Sequence, residues 1–191
     1  MAHCAARILS TLFQPILTGT YVLIVVSVAT ANGWPEALAW GLGTAALTAG
    51  IPTLDILRRI RGHTVSDFHI VAREQRLRPL LVMLLCVAVA LGLAVGLGAP
   101  EPLRVALVAA LAAGTALTAI TRVWKISFHT ATATSAVALL TWVLGPGALA
   151  LVPLVPAIAW SRVKLGRHST AQVVAGGAVS LVVTLGVLGA S

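Results

Sequence analysis

The sequence has little charge, and most of what it has is of one sign. Only 9% of its 191 residues are charged, whereas a soluble domain carries about 25%. Five acidic residues oppose 13 lysines and arginines, which gives a formal net charge of +8. Hydrophobic residues make up 59% of the chain, and the mean hydropathy is +1.00. This composition excludes an ordinary soluble enzyme and a disordered chain, and it predicts a polytopic membrane protein.

Cysteines and clustered carboxylates are also scarce. Cys4 and Cys86 are too few for a disulfide framework and do not have the spacing of metal ligands. The five acidic residues are Glu36, Asp55, Asp67, Glu74 and Glu101. They do not form the carboxylate cluster that a magnesium site needs. This counts against aspartate-rich membrane prenyltransferases and against enzymes that build phospholipids from nucleotide-activated lipids.

Apolar runs indicate the fold class. The runs are Leu12–Ala31, Ala37–Leu57, Leu80–Gly98, Val105–Ile120, Thr130–Leu144, Ala148–Trp160 and Ala171–Leu188. Backbone groups in lipid must be hydrogen-bonded internally, and no run alternates with period two, so the runs are expected to be helices. Prolines interrupt the sixth run, which leaves the number of crossings at six or seven. We expect an all-α transmembrane helical bundle, with residues 1–191 forming a single membrane-embedded domain.

The positive charges indicate an orientation. When the apolar runs alternate across a bilayer, all basic residues except Arg104 fall on the face that holds the N-terminus. The positive-inside rule makes that face cytoplasmic, as expected in a bacterial-type cytoplasmic membrane. Topology and anionic membrane lipids explain the basic balance, so no nucleic-acid partner is expected. Nothing in the sequence indicates an oligomer, and nothing excludes one.

Three basic segments on this face carry residues suited to chemistry: 67–79, 125–129 and 161–168. Arginine presents a planar fork that binds phosphate oxygens in pairs. Histidine is the natural proton donor or nucleophile near neutral pH. Together these residues favour phosphoryl chemistry on a lipid. The alternative is that the arginines set the topology and bind lipid head groups.

The third segment contains Ser161-Arg162, then five residues, then His168, and continues to Gln172 and Gly176. This pattern resembles the third signature of the type 2 phosphatidic acid phosphatase superfamily, the membrane lipid phosphatases related to vanadium haloperoxidases. That signature is Ser-Arg, five residues, His, three residues, Asp. In this chain, Gln172 stands where the family has the aspartate.

The second signature of the family, Pro-Ser-Gly-His, is matched in part. Ser127 and His129 stand at the serine and histidine positions. Ile126 and Phe128 replace the proline and the glycine. Phe128 removes the backbone freedom that glycine has, and we expect it to narrow the pocket as well.

The first signature of the family is Lys, six residues, Arg-Pro. The preferred register places His69 at the lysine and Arg76 at the arginine, with Leu77 in place of the proline. The other register uses Arg78 and the proline after it, but it places Val71 at the lysine position. Valine cannot bind phosphate, so the first register is the better one.

The resemblance covers residues 67–176 and implies a metal-independent phosphatase that needs no cofactor and works through a phosphohistidine. Its substrate would be a phosphate or diphosphate monoester of an isoprenoid or glycerolipid. His168 would attack phosphorus, His129 would protonate the leaving oxygen, and Gln172 would orient His168 from one helical turn away. The phosphate-binding residues would be Arg162, Arg76, His69, Arg73, Ser127 and Lys125.

Two other functions remain open, and Gln172 and the incomplete second signature support the first of them. One is a non-hydrolytic protein that binds or carries a phospholipid or polyprenyl phosphate. The other is a prenyl diphosphate transferase or cyclase that uses the same site. Phosphate release from lipid phosphates, with and without EDTA, would distinguish the three.

Overall fold

The computed structural model describes residues 1–62 and 77–191, and within these ranges the chain is helical with no strand. The helices are α1 (Ala2–Leu12), α2 (Pro15–Thr30), α3 (Trp34–Ala45), α4 (Ile51–Arg61), α5 (Leu77–Gly96), α6 (Glu101–Thr121), α7 (Phe128–Leu144), α8 (Leu154–Lys164) and α9 (Thr170–Leu188). A π-helical turn, Ala46–Gly50, joins α3 to α4, and a 3₁₀ segment, Pro146–Leu151, precedes α8. The predicted α-helical fold class is confirmed for the described residues.

Several of these helices are long and apolar enough to cross a membrane. In the described part of the chain, five candidate spans are Trp34–Arg61, Leu77–Gly96, Glu101–Thr121, Pro146–Lys164 and Thr170–Leu188. The pair α1 and α2, bent by 53°, makes a sixth if it counts as one span. Helix α7 is apolar but shorter. Five to six candidate spans are consistent with an integral membrane protein; the sequence predicts six or seven crossings.

The N-terminus differs from the sequence prediction. The first predicted apolar run begins at Leu12, yet the structure has a separate helix, α1, before it. Gln14 is extended at the break, as expected for a residue that precedes a proline, and Pro15 then starts α2. Ala6 and Ser10 lie one helical turn apart and form the buried face of α1. Through this contact surface, α1 packs against α8.

The apolar core lies between α2, α5, α6 and α7. Its most enclosed members include Val26, Ala90, Leu103 and Leu107. In lipid, the association of helices depends on close packing and on hydrogen bonds between helices, because the surroundings are equally apolar. Small residues such as Ala90 allow the helix axes to approach closely.

Hydroxyl groups link α7 to α9. Ser135 Oγ lies 2.6 Å from Ser180 Oγ and 2.8 Å from Thr184 Oγ1. Ser180 and Thr184 are fully enclosed. These contacts hold α7 and α9 side by side, and the N-terminal ends of both helices contribute to the site described next.

Candidate functional site

Four helix ends meet where α1, the start of α7, the end of α8 and the start of α9 pack together. Arg162 is only 2% exposed, and His129 and His168 are each 7% exposed. Ser10 and Ser127 are buried beside them. Burying polar groups is costly unless they are hydrogen-bonded, so a cluster of them in an apolar chain needs an explanation. We take this cluster as the candidate functional site.

His168 is oriented by the first turn of α9. Ser169 caps this helix: its Oγ accepts a hydrogen bond from the Gln172 backbone N–H at 3.3 Å, and Gln172 Oε1 accepts one from the Ser169 N–H at 3.1 Å. This reciprocal pair is a capping box, and it turns the amide oxygen of Gln172 towards the start of the helix. The same Oε1 lies 3.2 Å from His168 Nδ1.

The Gln172 contact determines which nitrogen of His168 carries the proton. An amide oxygen only accepts hydrogen bonds, so Nδ1 of His168 is the donor. A neutral imidazole protonated on Nδ1 has its lone pair on Nε2, the form that a nucleophile requires. Gln172 therefore orients the ring and selects the tautomer, while supplying no charge.

The turn between α8 and α9 brings Arg162 next to His168. The backbone N–H groups of Arg167 and His168 both donate to the Arg162 carbonyl oxygen, at 3.0 and 3.3 Å. Gly166 makes this turn with a φ of +65°, a left-handed conformation that glycine adopts without strain. The spacing of the Ser-Arg and His residues is thus the length of one tight helix-to-helix turn.

Ser10 of α1 connects two of the predicted site residues. Arg162 Nη1 donates a hydrogen bond to Ser10 Oγ at 2.5 Å. His129 Nε2 donates one to the Ser10 backbone carbonyl oxygen at 3.2 Å. Ser10 lies outside the three basic segments and is not among the residues predicted from the sequence. The sequence does contain one indication that α1 has a buried face: the small residues Ala6 and Ser10 are spaced by one helical turn.

Ser127 lies at the contact between α7 and α9. Its backbone N–H donates to the Gln172 carbonyl oxygen at 3.2 Å, so this N–H is already used within the protein. Its hydroxyl is fully buried and has no hydrogen-bond partner among the described residues. At Gly176, a Cβ would overlap the Ser127 carbonyl oxygen. Glycine therefore allows the second and third motifs to touch.

The remaining predicted site residues are placed as follows. Lys125 is half-buried in the loop between α6 and α7, close in sequence to Ser127. The other predicted phosphate ligands lie outside the described residues: His69, Arg73 and Arg76. Within residues 1–62 and 77–191, no three His, Cys, Asp or Glu side chains group closely enough to hold a metal ion. Of the predicted site residues that the structure describes, it brings together His129, Arg162, His168, Gln172 and Ser127.

The geometry at this site is the main support for any function, since the chain matches no protein-family model, no curated protein and no solved structure. The positions of Arg162, His168 and Gln172 rest on contacts within and between α8 and α9. The positions of Ser127 and His129 rest on the packing of α7 against α9 and α1. Roles for these residues are proposals derived from that geometry and from the spacing of the motifs.

Proposed function

We propose that this protein is a membrane lipid phosphatase that acts through a phosphohistidine on a phosphate or diphosphate ester of an isoprenoid or glycerolipid. The observation that carries the proposal is the state of His168: its Nδ1 donates to Gln172 and leaves the Nε2 lone pair as a nucleophile. Its backbone is hydrogen-bonded to that of Arg162, the buried cation best suited to bind phosphate.

The chemistry divides between three residues. His168 Nε2 forms a bond to phosphorus while the bond between phosphorus and the leaving oxygen breaks. Arg162 balances the charge on the phosphoryl oxygens, and its burial strengthens this attraction because little water screens it. His129 keeps its Nε2–H on the Ser10 carbonyl oxygen and, as an imidazolium, gives its Nδ1 proton to the leaving oxygen. Water then attacks the phosphohistidine, which releases phosphate and restores His168.

A cytoplasmic location of the site belongs to the same proposal. The last turns of α4 and α8 hold Arg58, Arg59 and Lys164. In the proposed topology α4, α6 and α8 run in the same direction, and Arg104 lies near the start of α6, on the face opposite to these residues. The positive-inside rule then favours the cytoplasm for the site. The substrate would be a lipid in the cytoplasmic leaflet.

The neutral partner of His168 supports a second candidate function, the non-hydrolytic binding of a lipid. Gln172 supplies a hydrogen-bond acceptor but no negative charge to stabilise the imidazolium that forms during phosphoryl transfer. In a triad enzyme, replacing the carboxylate partner of histidine by an amide costs about 10⁴ in rate when it selects the wrong tautomer. Here Gln172 selects the productive tautomer, so only the missing charge supports non-hydrolytic lipid binding, and hydrolysis remains the first proposal.

Phosphate release tests the proposal directly. Purified protein in detergent is incubated with prenyl and glyceryl phosphates and diphosphates, with and without EDTA. We expect phosphate release that EDTA does not reduce, and loss of turnover in His168→Ala with wild-type thermal stability. Lipid binding without turnover in the wild type would support the carrier instead. Turnover of His168→Ala at the wild-type rate would exclude the phosphohistidine.

A further inference from the structure

A polar cleft lies between α1 and the turn that joins α8 to α9. Its volume is about 480 Å³. The residues that matter for its chemistry are His3, Arg7, Ser10, Arg162 and Arg167. Helix α1 and Arg7 lie outside the three motifs that predict the catalytic site, and Arg167 occupies a position of the third motif to which the signature assigns no residue type. The cleft is therefore a feature of the tertiary structure that the motifs do not explain.

The cleft has the charge of an anion site. Among the described residues that line it, every ionisable side chain is basic: His3, Arg7, Arg162 and Arg167. Arginine forks match the geometry of phosphate oxygens, and several together fit a group with more than one negative charge. Arg162 is buried, whereas Arg7 is exposed and Arg167 is half-buried. A ligand can therefore reach the cleft and still contact a buried cation.

The cleft adjoins the candidate catalytic residues. Arg162 lines the cleft and also hydrogen-bonds Ser10, whose carbonyl oxygen accepts from His129. The turn between α8 and α9 directs Arg167 to the cleft and its neighbour His168 to the catalytic site. Arg167 lines the cleft, while the His168 ring contacts Gln172. A group bound in the cleft would thus lie beside a phosphoryl group held for attack by His168.

We propose that this cleft binds a second phosphate group and makes the protein selective for lipid diphosphates over lipid monophosphates. The inference rests on the proposed phosphatase function. The terminal phosphoryl group would lie at His168 and Arg162. The inner phosphate, which stays with the lipid, would lie in the cleft against Arg7 and Arg167. The two phosphates of a diphosphate share one bridging oxygen, so adjoining subsites are what such a substrate needs.

The cleft acts on the leaving group. His168 Nε2 forms a bond to the terminal phosphorus, and the bond from that phosphorus to the bridging oxygen breaks. The electron pair stays on the bridging oxygen, which takes the proton from His129, and the product is a lipid monophosphate. Water then attacks the phosphohistidine, returns a proton to His129 and releases inorganic phosphate. Arg7 and Arg167 stabilise the charge of the departing lipid monophosphate, an interaction that a monophosphate substrate cannot make because it has no inner phosphate.

The test compares two substrates with the same prenyl tail, one a monophosphate and one a diphosphate. For the wild type, Arg7→Gln and Arg167→Gln, kcat/KM is measured for each substrate in detergent and in nanodiscs with and without phosphatidylglycerol. We expect the diphosphate-to-monophosphate ratio of kcat/KM to fall about fivefold in each variant. Arg58→Gln removes an exposed charge of α4, outside the cleft, and serves as the control that keeps the wild-type ratio.

The outcomes separate this inference from the proposed function. A ratio equal to that of the wild type in both variants overturns the second phosphate subsite. So does a ratio that falls only in nanodiscs containing phosphatidylglycerol, since the cleft then binds lipid head groups. If the wild type hydrolyses neither substrate, the phosphatase proposal fails, and calorimetry tests the cleft alone. The subsite is supported if pyrophosphate binds more tightly than phosphate and if Arg7→Gln weakens pyrophosphate binding. Equal affinities for pyrophosphate and phosphate overturn it.

Discussion

Alanine at Gly176 tests whether the contact between α7 and α9 holds the two motifs of the site together. An ideal Cβ at this position would overlap the Ser127 carbonyl oxygen and lie 3.0 Å from Thr130 Oγ1. The Ser127 oxygen belongs to the backbone, so it cannot rotate away as the end of a side chain would. Relief requires one helix to move by roughly 1 Å to reach van der Waals separation.

The expected change in stability is a balance of two effects. Overpacking of this kind costs about 1–3 kcal/mol. The higher helix propensity of alanine returns up to about 1 kcal/mol. We therefore expect Gly176→Ala to lower the free energy of unfolding by about 1–2 kcal/mol. If the phosphatase proposal holds, turnover should fall by about 10²-fold, because displacement by 1 Å separates Ser127 from Gln172 and His168.

Two other glycines of α9 provide matched controls for this substitution. A Cβ at Gly177 would lie 3.2 Å from Thr134 Oγ1, which can shift slightly, and a Cβ at Gly186 would meet nothing within 4 Å. Thermal and chemical unfolding in detergent should rank Gly176→Ala as least stable, Gly177→Ala as intermediate and Gly186→Ala as unimpaired. Equal stability of Gly176→Ala and Gly186→Ala would refute the close approach of α9 to Ser127.

Two further substitutions test the hydrogen bonds of the site. Gln172→Glu keeps the length of the side chain and the capping oxygen, and it adds a negative charge. The stronger charge-assisted hydrogen bond to His168 should raise turnover about fivefold. A lower kcat in phosphate release would show that the site requires a neutral partner. Ser10→Ala removes the hydroxyl that accepts from Arg162 and should cost about 1–2 kcal/mol in the unfolding assay. Ser10→Thr keeps that hydroxyl and should restore stability, whereas an Ala variant as stable as the wild type would contradict the contact.

The sequence predicts those features of this protein that depend on local pattern. Low charge and long apolar runs indicate membrane helices, since a bilayer admits only backbones that satisfy their own hydrogen bonds. The contact between His168 and Gln172 joins residues close in sequence, but it does not come from a shared helix face: His168 precedes the N-cap of α9, and the capping box turns Gln172 Oε1 back towards it. The capping box of Ser169 depends only on adjacent residues at the start of α9, a local pattern that the three predicted motifs do not include.

The tertiary structure decides the features that join distant parts of the chain. Ser10 meets Arg162 only because α1 is a separate helix that turns at Pro15 and packs on α8, and no local periodicity encodes that docking. In the sequence, Gly176 is one of many small residues. Only the tertiary structure shows that glycine is required there, because the Ser127 carbonyl oxygen lies where a Cβ would be. The cleft beside Arg7 arises from the same packing. Helix formation follows from neighbours in sequence, whereas the composition of the site follows from which helix faces lie against each other.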